Sequence, residues 1–124
     1  MSKTMQEFLN AARAEVPTIS REEVKALMGK HDVVILDVRD ASEVAASGKV
    51  KGAINISRGL IEFKADPESP YYAPELKPEK TIITYCASGG RSALAGKTLK
   101  EMGYNKVFNL GKFQEWKDAG GEVE

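Results

Sequence analysis

Val33-Val34-Ile35-Leu36-Asp37-Val38 is an almost unbroken run of aliphatic residues. A strand with one wet face alternates apolar and polar residues; a strand without that alternation is covered on both faces, as in a parallel sheet flanked by helices. Thr81-Ile82-Ile83-Thr84-Tyr85 is a second such segment, β-branched, aromatic and bounded by Pro78-Glu79-Lys80. Lys106-Val107-Phe108-Asn109-Leu110-Gly111 gives another short strand ending in a glycine turn, and Val16-Pro17-Thr18-Ile19 reads as an edge strand, where proline is tolerated. Helical patterns lie between these segments. Ser20-Arg21-Glu22-Glu23 is a capping box that starts a helix carrying Val24, Leu27 and Met28 inward and stopping at Gly29. Met5, Phe8, Leu9 and Ala12 stand at helical spacing and predict a short amphipathic helix, packed on the domain or on a second copy of it. The sequence divides into an N-terminal helical extension over residues 1–15 and one α/β domain over residues 16–124.

The second strand leads into the stretch that carries chemistry. Cys86-Ala87-Ser88-Gly89-Gly90-Arg91 follows it directly, and Ser92 to Met102 then places Ala95, Leu99 and Met102 on one helical face. A strand that feeds a Gly-rich loop into a helix start aims backbone N–H groups and the positive end of the helix dipole at the loop's occupant. Here the occupant is the sulfur of Cys86. A free cysteine is only a few per cent thiolate at neutral pH, and the thiolate is the nucleophile. Charge-assisted N–H bonds and a helix terminus shift that balance without a histidine or a metal. Gly89 and Gly90 are expected to supply backbone angles that residues with a Cβ resist. Arg91 adds a planar fork for an anion.

Composition narrows the choice. Lysine plus arginine and aspartate plus glutamate number 18 each, so nothing electrostatic argues for nucleic acid or an anionic membrane as partner. The single cysteine forbids an internal disulfide and an internal resolving thiol, so a group loaded on Cys86 must leave to an external acceptor. One histidine and one cysteine do not supply the usual zinc ligands, and no cofactor is expected. His31 falls in a polar turn and reads as solvated. The first residues lack the apolar core of a signal peptide, which leads to an expectation of cytoplasmic residence.

The loop Cys86-Ala87-Ser88-Gly89-Gly90-Arg91-Ser92 resembles the active-site loop of rhodanese-type sulfurtransferases, C-x-x-G-x-R-S. Three other segments extend the resemblance from about Thr18 to Gly121. Asp37-Val38-Arg39-Asp40-Ala41-Ser42-Glu43 is similar to the family's D-V-R-x-x-x-E, and Gly48-Lys49-Val50-Lys51-Gly52-Ala53-Ile54-Asn55-Ile56 to its G-H-I-x-G-A-x-N-I turn and strand, with Lys49 in place of histidine. Asn109-Leu110-Gly111 with Trp116 resembles the terminal N-L-x-G-x-x-x-W segment, Trp116 reading as a core anchor. The resemblance implies an open, mainly parallel five-stranded sheet with helices on both faces. It also implies that Cys86 accepts a sulfane sulfur as a persulfide, with Ala87, Ser88, Gly89, Gly90, Arg91 and Ser92 binding substrate. Asp37, Arg39 and Glu43 are expected to shape the floor and rim through hydrogen bonds and a salt bridge. Arg39 and Glu43, four apart, can pair on a short helix.

The function that follows is a sulfurtransferase moving sulfur from thiosulfate or a related donor to cyanide, a thiol or a carrier protein, the enzyme acting as a monomer or homodimer. Two rivals stand beside it. A non-catalytic rhodanese-like binding module often lacks the cysteine that this chain keeps. A cysteine phosphatase or arsenate reductase of the tyrosine-phosphatase style uses C-x5-R, whereas Cys86 to Arg91 is C-x4-R. One residue fewer shortens the cradle by up to about 3.5 Å, while a persulfide adds one sulfur about 2.05 Å from the first. Asp66 is the loop carboxylate available as a phosphatase acid, in the irregular Lys64 to Pro78 segment where Tyr71 and Tyr72 read as packing groups.

Overall fold

In the computed structural model, which describes residues 2–124, the two apolar runs become neighbouring central strands. β1 (Val33–Asp37) lies parallel to β3 (Thr81–Cys86), with Val34 opposite Ile82 and Asp37 opposite Tyr85. β2 (Ile54–Asn55) and β4 (Lys106–Lys112) add parallel strands on either side, giving the order β2-β1-β3-β4. Successive side chains of β1 and β3 enter opposite layers. Val34, Leu36, Ile82 and Cys86 join Ala95 and Leu99 in one buried cluster, while Ile35, Ile83 and Tyr85 join Val24, Phe113 and Trp116 in the other. Each fully buried large apolar side chain contributes about 1.5–3 kcal/mol, and a strand that serves two cores has no place for a polar alternation.

The sheet has four strands and not the expected five. Val16 to Ile19 contributes one parallel bridge, Thr18 to Asn109, through Asn109 N–H to Pro17 O at 2.9 Å and Ile19 N–H to Asn109 O at 3.1 Å. Both ends of the segment are claimed by helices. Val16 N–H closes α1 (Met5–Glu15) on Ala12 O, and Ser20 caps α2 (Arg21–Leu27). Pro17 between them has no N–H to extend a ladder.

The helices start and stop where local chemistry dictates. Ser20 Oγ accepts from Glu23 N–H while the Glu23 carboxylate accepts from Ser20 N–H, both at 3.1 Å, and Gly29 turns the chain away with φ +82°. α5 (Gly90–Glu101) buries Ala95 and Leu99, and Met102, the residue that caps its C-terminus, is half-buried. α1 packs on α5, with Lys100 Nζ donating to Glu15 O at 2.7 Å. Of its four expected inward residues, Ala12 is buried and Leu9 half-buried, but Met5 and Phe8 are 72% and 52% exposed. The difference arises because only the Leu9 and Ala12 turns face α5; Phe8 lies instead under the Lys3 ammonium, 5.7 Å from the ring centre.

α3 (Ala41–Ser47) covers the C-terminal end of β1, and a 3-10 turn (Arg58–Leu60) leads into α4 (Ile61–Lys64). The irregular segment after α4 is anchored to the core: Leu76 is fully buried, and Tyr104 Oη donates to Ala65 O at 2.7 Å. Tyr72 Oη donates to Leu76 O, and Tyr71 stands edge-on to Phe63 with 6.3 Å between ring centres. α6 (Phe113–Asp118) buries Trp116, whose indole N–H donates to Glu122 O at 3.0 Å. Lys49 donates to Ala53 O at 2.8 Å and pairs with Glu124, so it braces the Gly48–Gly52 turn against residues 122–124. Among the described residues no helix is long and apolar enough to cross a membrane.

Candidate active site

Parallel strands deliver their C-terminal residues to one edge of the sheet, where open α/β folds place their crevice. β1 brings Asp37 there and β3 brings Tyr85 and Cys86. After Cys86 the chain makes one tight arch: Ala87 and Ser88 are exposed, Gly89 turns inward, and α5 begins at Gly90. Gly89 N–H donates to Cys86 Sγ at 3.0 Å. Burial pushes the thiol up, but the Ser92 hydroxyl and the amides of Ser92, Gly89 and Ser88 outweigh it, so Cys86 falls below the ordinary thiol value. The sulfur has no exposed surface, and it lies beneath the arch at the start of a helix.

The two loop glycines have different reasons to be there. Gly89 has φ +93°, the left-handed region that a side chain resists. Gly90 is the first residue of α5, is not in that region, and a Cβ there would meet Leu9 Cδ2 at an ordinary 3.6 Å. The expectation that both glycines are demanded by backbone angle is therefore corrected for Gly90.

Arg91 does not present a free fork. Its Nη1 and Nη2 donate to Glu43 Oε1 and Oε2 at 2.7 and 3.0 Å, a bidentate pair with both side chains about one third exposed (36% and 34%). The Arg91 guanidinium pulls the Glu43 carboxyl down to about 2, and Glu43 in turn raises Arg91. The expected Arg39–Glu43 pair is not formed. Arg39 precedes α3 and turns inward, its fork on buried Asp37 with Nε at 3.0 Å from Oδ1 and Nη2 at 2.7 Å from Oδ2. Inside the protein a guanidinium needs a carboxylate within reach, and Asp37 is two residues away on the same strand end.

Asp37 and Arg39 form the floor of this region. Tyr85 Oη donates to Asp37 Oδ2 at 2.6 Å and accepts from Val50 N–H at 2.9 Å. Burial, with Asp37 as its hydrogen-bond partner, pushes the Tyr85 phenol well above its ordinary value. Arg39 also donates to Ser47 Oγ and Gly48 O, both at 2.7 Å, and lies 4.3 Å from the Phe113 ring centre. The end of β1 is thereby tied to β3, α3 and α6.

Ser92 and Asn109 complete the loop's interior. Ser92 Oγ lies 3.5 Å from Cys86 Sγ and donates to Asn109 Oδ1 at 2.7 Å; Thr84 Oγ1 donates to Ser92 O at 3.0 Å. Asn109 Nδ2 donates to Gly89 O at 3.3 Å, so one buried amide touches both ends of the arch. Sequence reasoning placed Asn109 in a strand and gave it no part in the site; its position in the N-L-x-G segment was the available signal. Asp66 stands apart, its Oδ1 accepting from Glu68 N–H at 2.9 Å within its own turn. An open groove of about 270 Å³ is lined by Leu60, Phe63, Lys64 and Tyr71, and Cys86 is not among its walls.

The architecture is a parallel α/β domain organised around a cysteine loop between a central strand and a helix. The chain belongs to the rhodanese family, matching the Rhodanese-like domain over residues 20–119. It is 33% identical over 117 residues to the thiosulfate:glutathione sulfurtransferase of Saccharomyces cerevisiae, which covers 88% of this chain and 84% of the yeast protein. It superposes with a TM-score of 0.90 and 38% identity on a Rhodopseudomonas palustris protein of unknown function named a possible tyrosine phosphatase, over 100% of this chain and 96% of that one. A polysulfide-sulfur transferase homodimer from Wolinella succinogenes is similar at a TM-score of 0.76 and 32% identity, covering 96% of this chain and 85% of that one. Some relatives are longer, and the chain spans 48% and 42% of two of them.

Proposed function

We propose that this protein is a sulfurtransferase in which Cys86 carries the sulfur. The observation that bears most weight is the bond from Gly89 N–H to Cys86 Sγ at 3.0 Å at the start of α5, because it stabilises the anion that must attack. The Cys86 thiolate attacks the outer sulfur of thiosulfate, forming a new S–S bond while the old one breaks with its electron pair on sulfite. The persulfide anion then hands its outer sulfur to cyanide, a thiol or a carrier protein, and Cys86 leaves as thiolate; neither half needs an external oxidant or reductant. The amides of Ala87, Ser88, Gly89 and Gly90, with Ser92, line the space for the sulfur, and Arg91, its fork held by Glu43, braces the rim. The donor reaches the sulfur by parting the exposed Ala87–Ser88 arch, since Cys86 itself has no open surface.

The R. palustris neighbour's name raises a second reading, phosphoryl transfer. The C-x4-R spacing and the occupation of the Arg91 fork by Glu43 both weigh against it, because a phosphoryl group brings three oxygens that each need donors. Intact-mass measurement after incubation with thiosulfate tests the proposal. A cyanide-labile gain of one sulfur atom, absent in Cys86→Ser, is expected. No gain, or turnover of an aryl phosphate without sulfur transfer, would overturn it.

A further inference from the structure

Ser92 has one hydroxyl proton and two neighbours that can take it. Asn109 Oδ1 holds it now, at 2.7 Å, while Cys86 Sγ waits at 3.5 Å. The amide of Asn109 cannot turn over to resolve the competition. Its Nδ2 donates to Gly89 O at 3.3 Å, an oxygen that also accepts from Ala93 N–H at 3.2 Å, so a flipped amide would set two carbonyl oxygens against each other. Ser92 and Asn109 are both buried, and no exposed group is in place to supply a second proton.

We propose that Asn109 is a positioning residue acting on Cys86 through Ser92: it holds the serine's proton while Cys86 is a thiol or carries sulfur, and yields it while Cys86 is a thiolate. As a thiol, Cys86 donates S–H toward Ser92 Oγ and the serine donates onward to Asn109. When the thiol proton leaves to solvent, the electron pair stays on sulfur and the sulfur becomes an acceptor only. Ser92 then rotates about its Cβ–Oγ bond, with no covalent bond broken, and donates to the anion; Asn109 Oδ1 loses its donor. In a persulfide the charge sits on the outer sulfur, the inner sulfur loses its claim, and the hydroxyl returns to Asn109. That last step rests on the sulfur-transfer reading; the thiolate step does not. Asn109 thus restrains the thiolate that Ser92 promotes, and the same rotation stabilises Cys86 each time it must depart as a leaving group.

The charged groups nearest the sulfur are Arg91 of α5, with Glu43 of α3 and the N-cap residue Asp40 beside it, and Lys112 opposite Cys86 in the β3–β4 register; the Asp37–Arg39 pair at the end of β1 packs on Tyr85 and Phe113 in the other layer. None is altered by the variants that test the proposal. The measurement is the pH profile of Cys86 alkylation by iodoacetamide on the full chain. Ser92→Ala moves the midpoint up and slows alkylation at neutral pH about tenfold, the loss of one hydrogen bond to an anion. Asn109→Ala moves the midpoint down, because the serine's proton is then free for the sulfur, and in the presence of Ser92→Ala it moves it no further. If the alanine variant fails to fold, Asn109→Leu, of nearly the same volume, removes the acceptor without setting an oxygen against Gly89 O, and is expected to move the midpoint down with Ser92 present and not with Ser92→Ala. Midpoints that rise in both single alanine variants would make Asn109 a loop support and overturn the proposal, as would an unmoved midpoint in Ser92→Ala. If the alkylation results come out as expected but thiosulfate loads no sulfur, the thiolate step stands and the sulfurtransferase reading falls.

Discussion

Arg91 and Glu43, 48 residues apart in sequence, meet through two parallel N–H···O bonds of 2.7 and 3.0 Å. The pair joins the first turn of α5 to α3, so it fixes the cysteine arch from outside as Asn109 fixes it from inside. The Arg91 guanidinium holds the Glu43 carboxyl down at about 2, well below the ordinary carboxylate range. A carboxyl depressed on folding stabilises the native state above its unfolded value and loses that contribution as pH falls toward the folded one. With both side chains about one third exposed (36% and 34%), screening reduces the pair to about 1 kcal/mol. Glu43→Gln is therefore expected to cost about 1 kcal/mol in urea unfolding at pH 7, with the gap from wild type closing between about pH 4.5 and 2. A gap that persists at pH 2 would place the stabilisation elsewhere.

Buried Asp37 behaves differently from this half-exposed pair. Asp37→Asn leaves the Arg39 guanidinium inside the protein with Ser47 Oγ and Gly48 O but no counter-charge. Removing one partner of a buried ion pair costs about 3–5 kcal/mol. Tyr85→Phe leaves the guanidinium its counter-charge; it removes the hydrogen bond to Asp37 and the acceptor of Val50 N–H and costs about 1.5–3 kcal/mol. Chemical denaturation orders the two variants, with Asp37→Asn the less stable.

The arch glycines separate on conformation. Gly89→Ala forces a side chain into φ +93° and costs about 1–2 kcal/mol, and by moving the Gly89 amide off the sulfur it slows Cys86 alkylation at neutral pH. Gly90→Ala adds a methyl at ordinary contact with Leu9 Cδ2 in a helix-start position and leaves stability and alkylation within about 0.5 kcal/mol of wild type. Thermal melts and alkylation rates of the pair distinguish a backbone-angle role from general intolerance of the loop to change.

Local patterns carried the fold and the position of the cysteine. The Val33–Val38 run has no alternation because both its faces are buried, and the strand, loop and helix around Cys86 follow one another in the chain. What escaped was pairing over distance. Glu43 had a cation four residues away and another 48 away; only the turn of Arg39 toward Asp37 decides between them, and spacing does not reveal that turn. Asn109 reaches the arch across the β3–β4 register, which a one-dimensional pattern shows merely as a polar residue in a strand. The missing strand at Val16–Ile19 was lost to the caps of two flanking helices, although proline had marked the segment as marginal. Gly90 was misread because adjacent glycines look alike until their angles are known.

Trp116, the single tryptophan in the protein, reports on the far side of the sheet from the helix that begins at Gly90. Gly121 N–H donates to Trp116 O at 2.9 Å, which folds residues 121–124 back over the indole. A Cβ at Gly121 would lie 2.3–2.5 Å from Trp116 Cε2, Cδ2 and Nε1, inside any real contact distance. Gly121→Ala must therefore move the ring or the tail. Moving the tail breaks the Trp116 Nε1 bond to Glu122 O and the pairing of Lys51 N–H with the same oxygen at 3.0 Å. Overpacking of this kind costs about 1–3 kcal/mol, and solvent entering beside the indole shifts its emission to the red. Cys86 lies in the opposite core cluster, so its alkylation rate at neutral pH is expected to stay within about twofold of wild type. A red shift accompanied by a large fall in alkylation would show that the tail and the cysteine arch are coupled through the sheet.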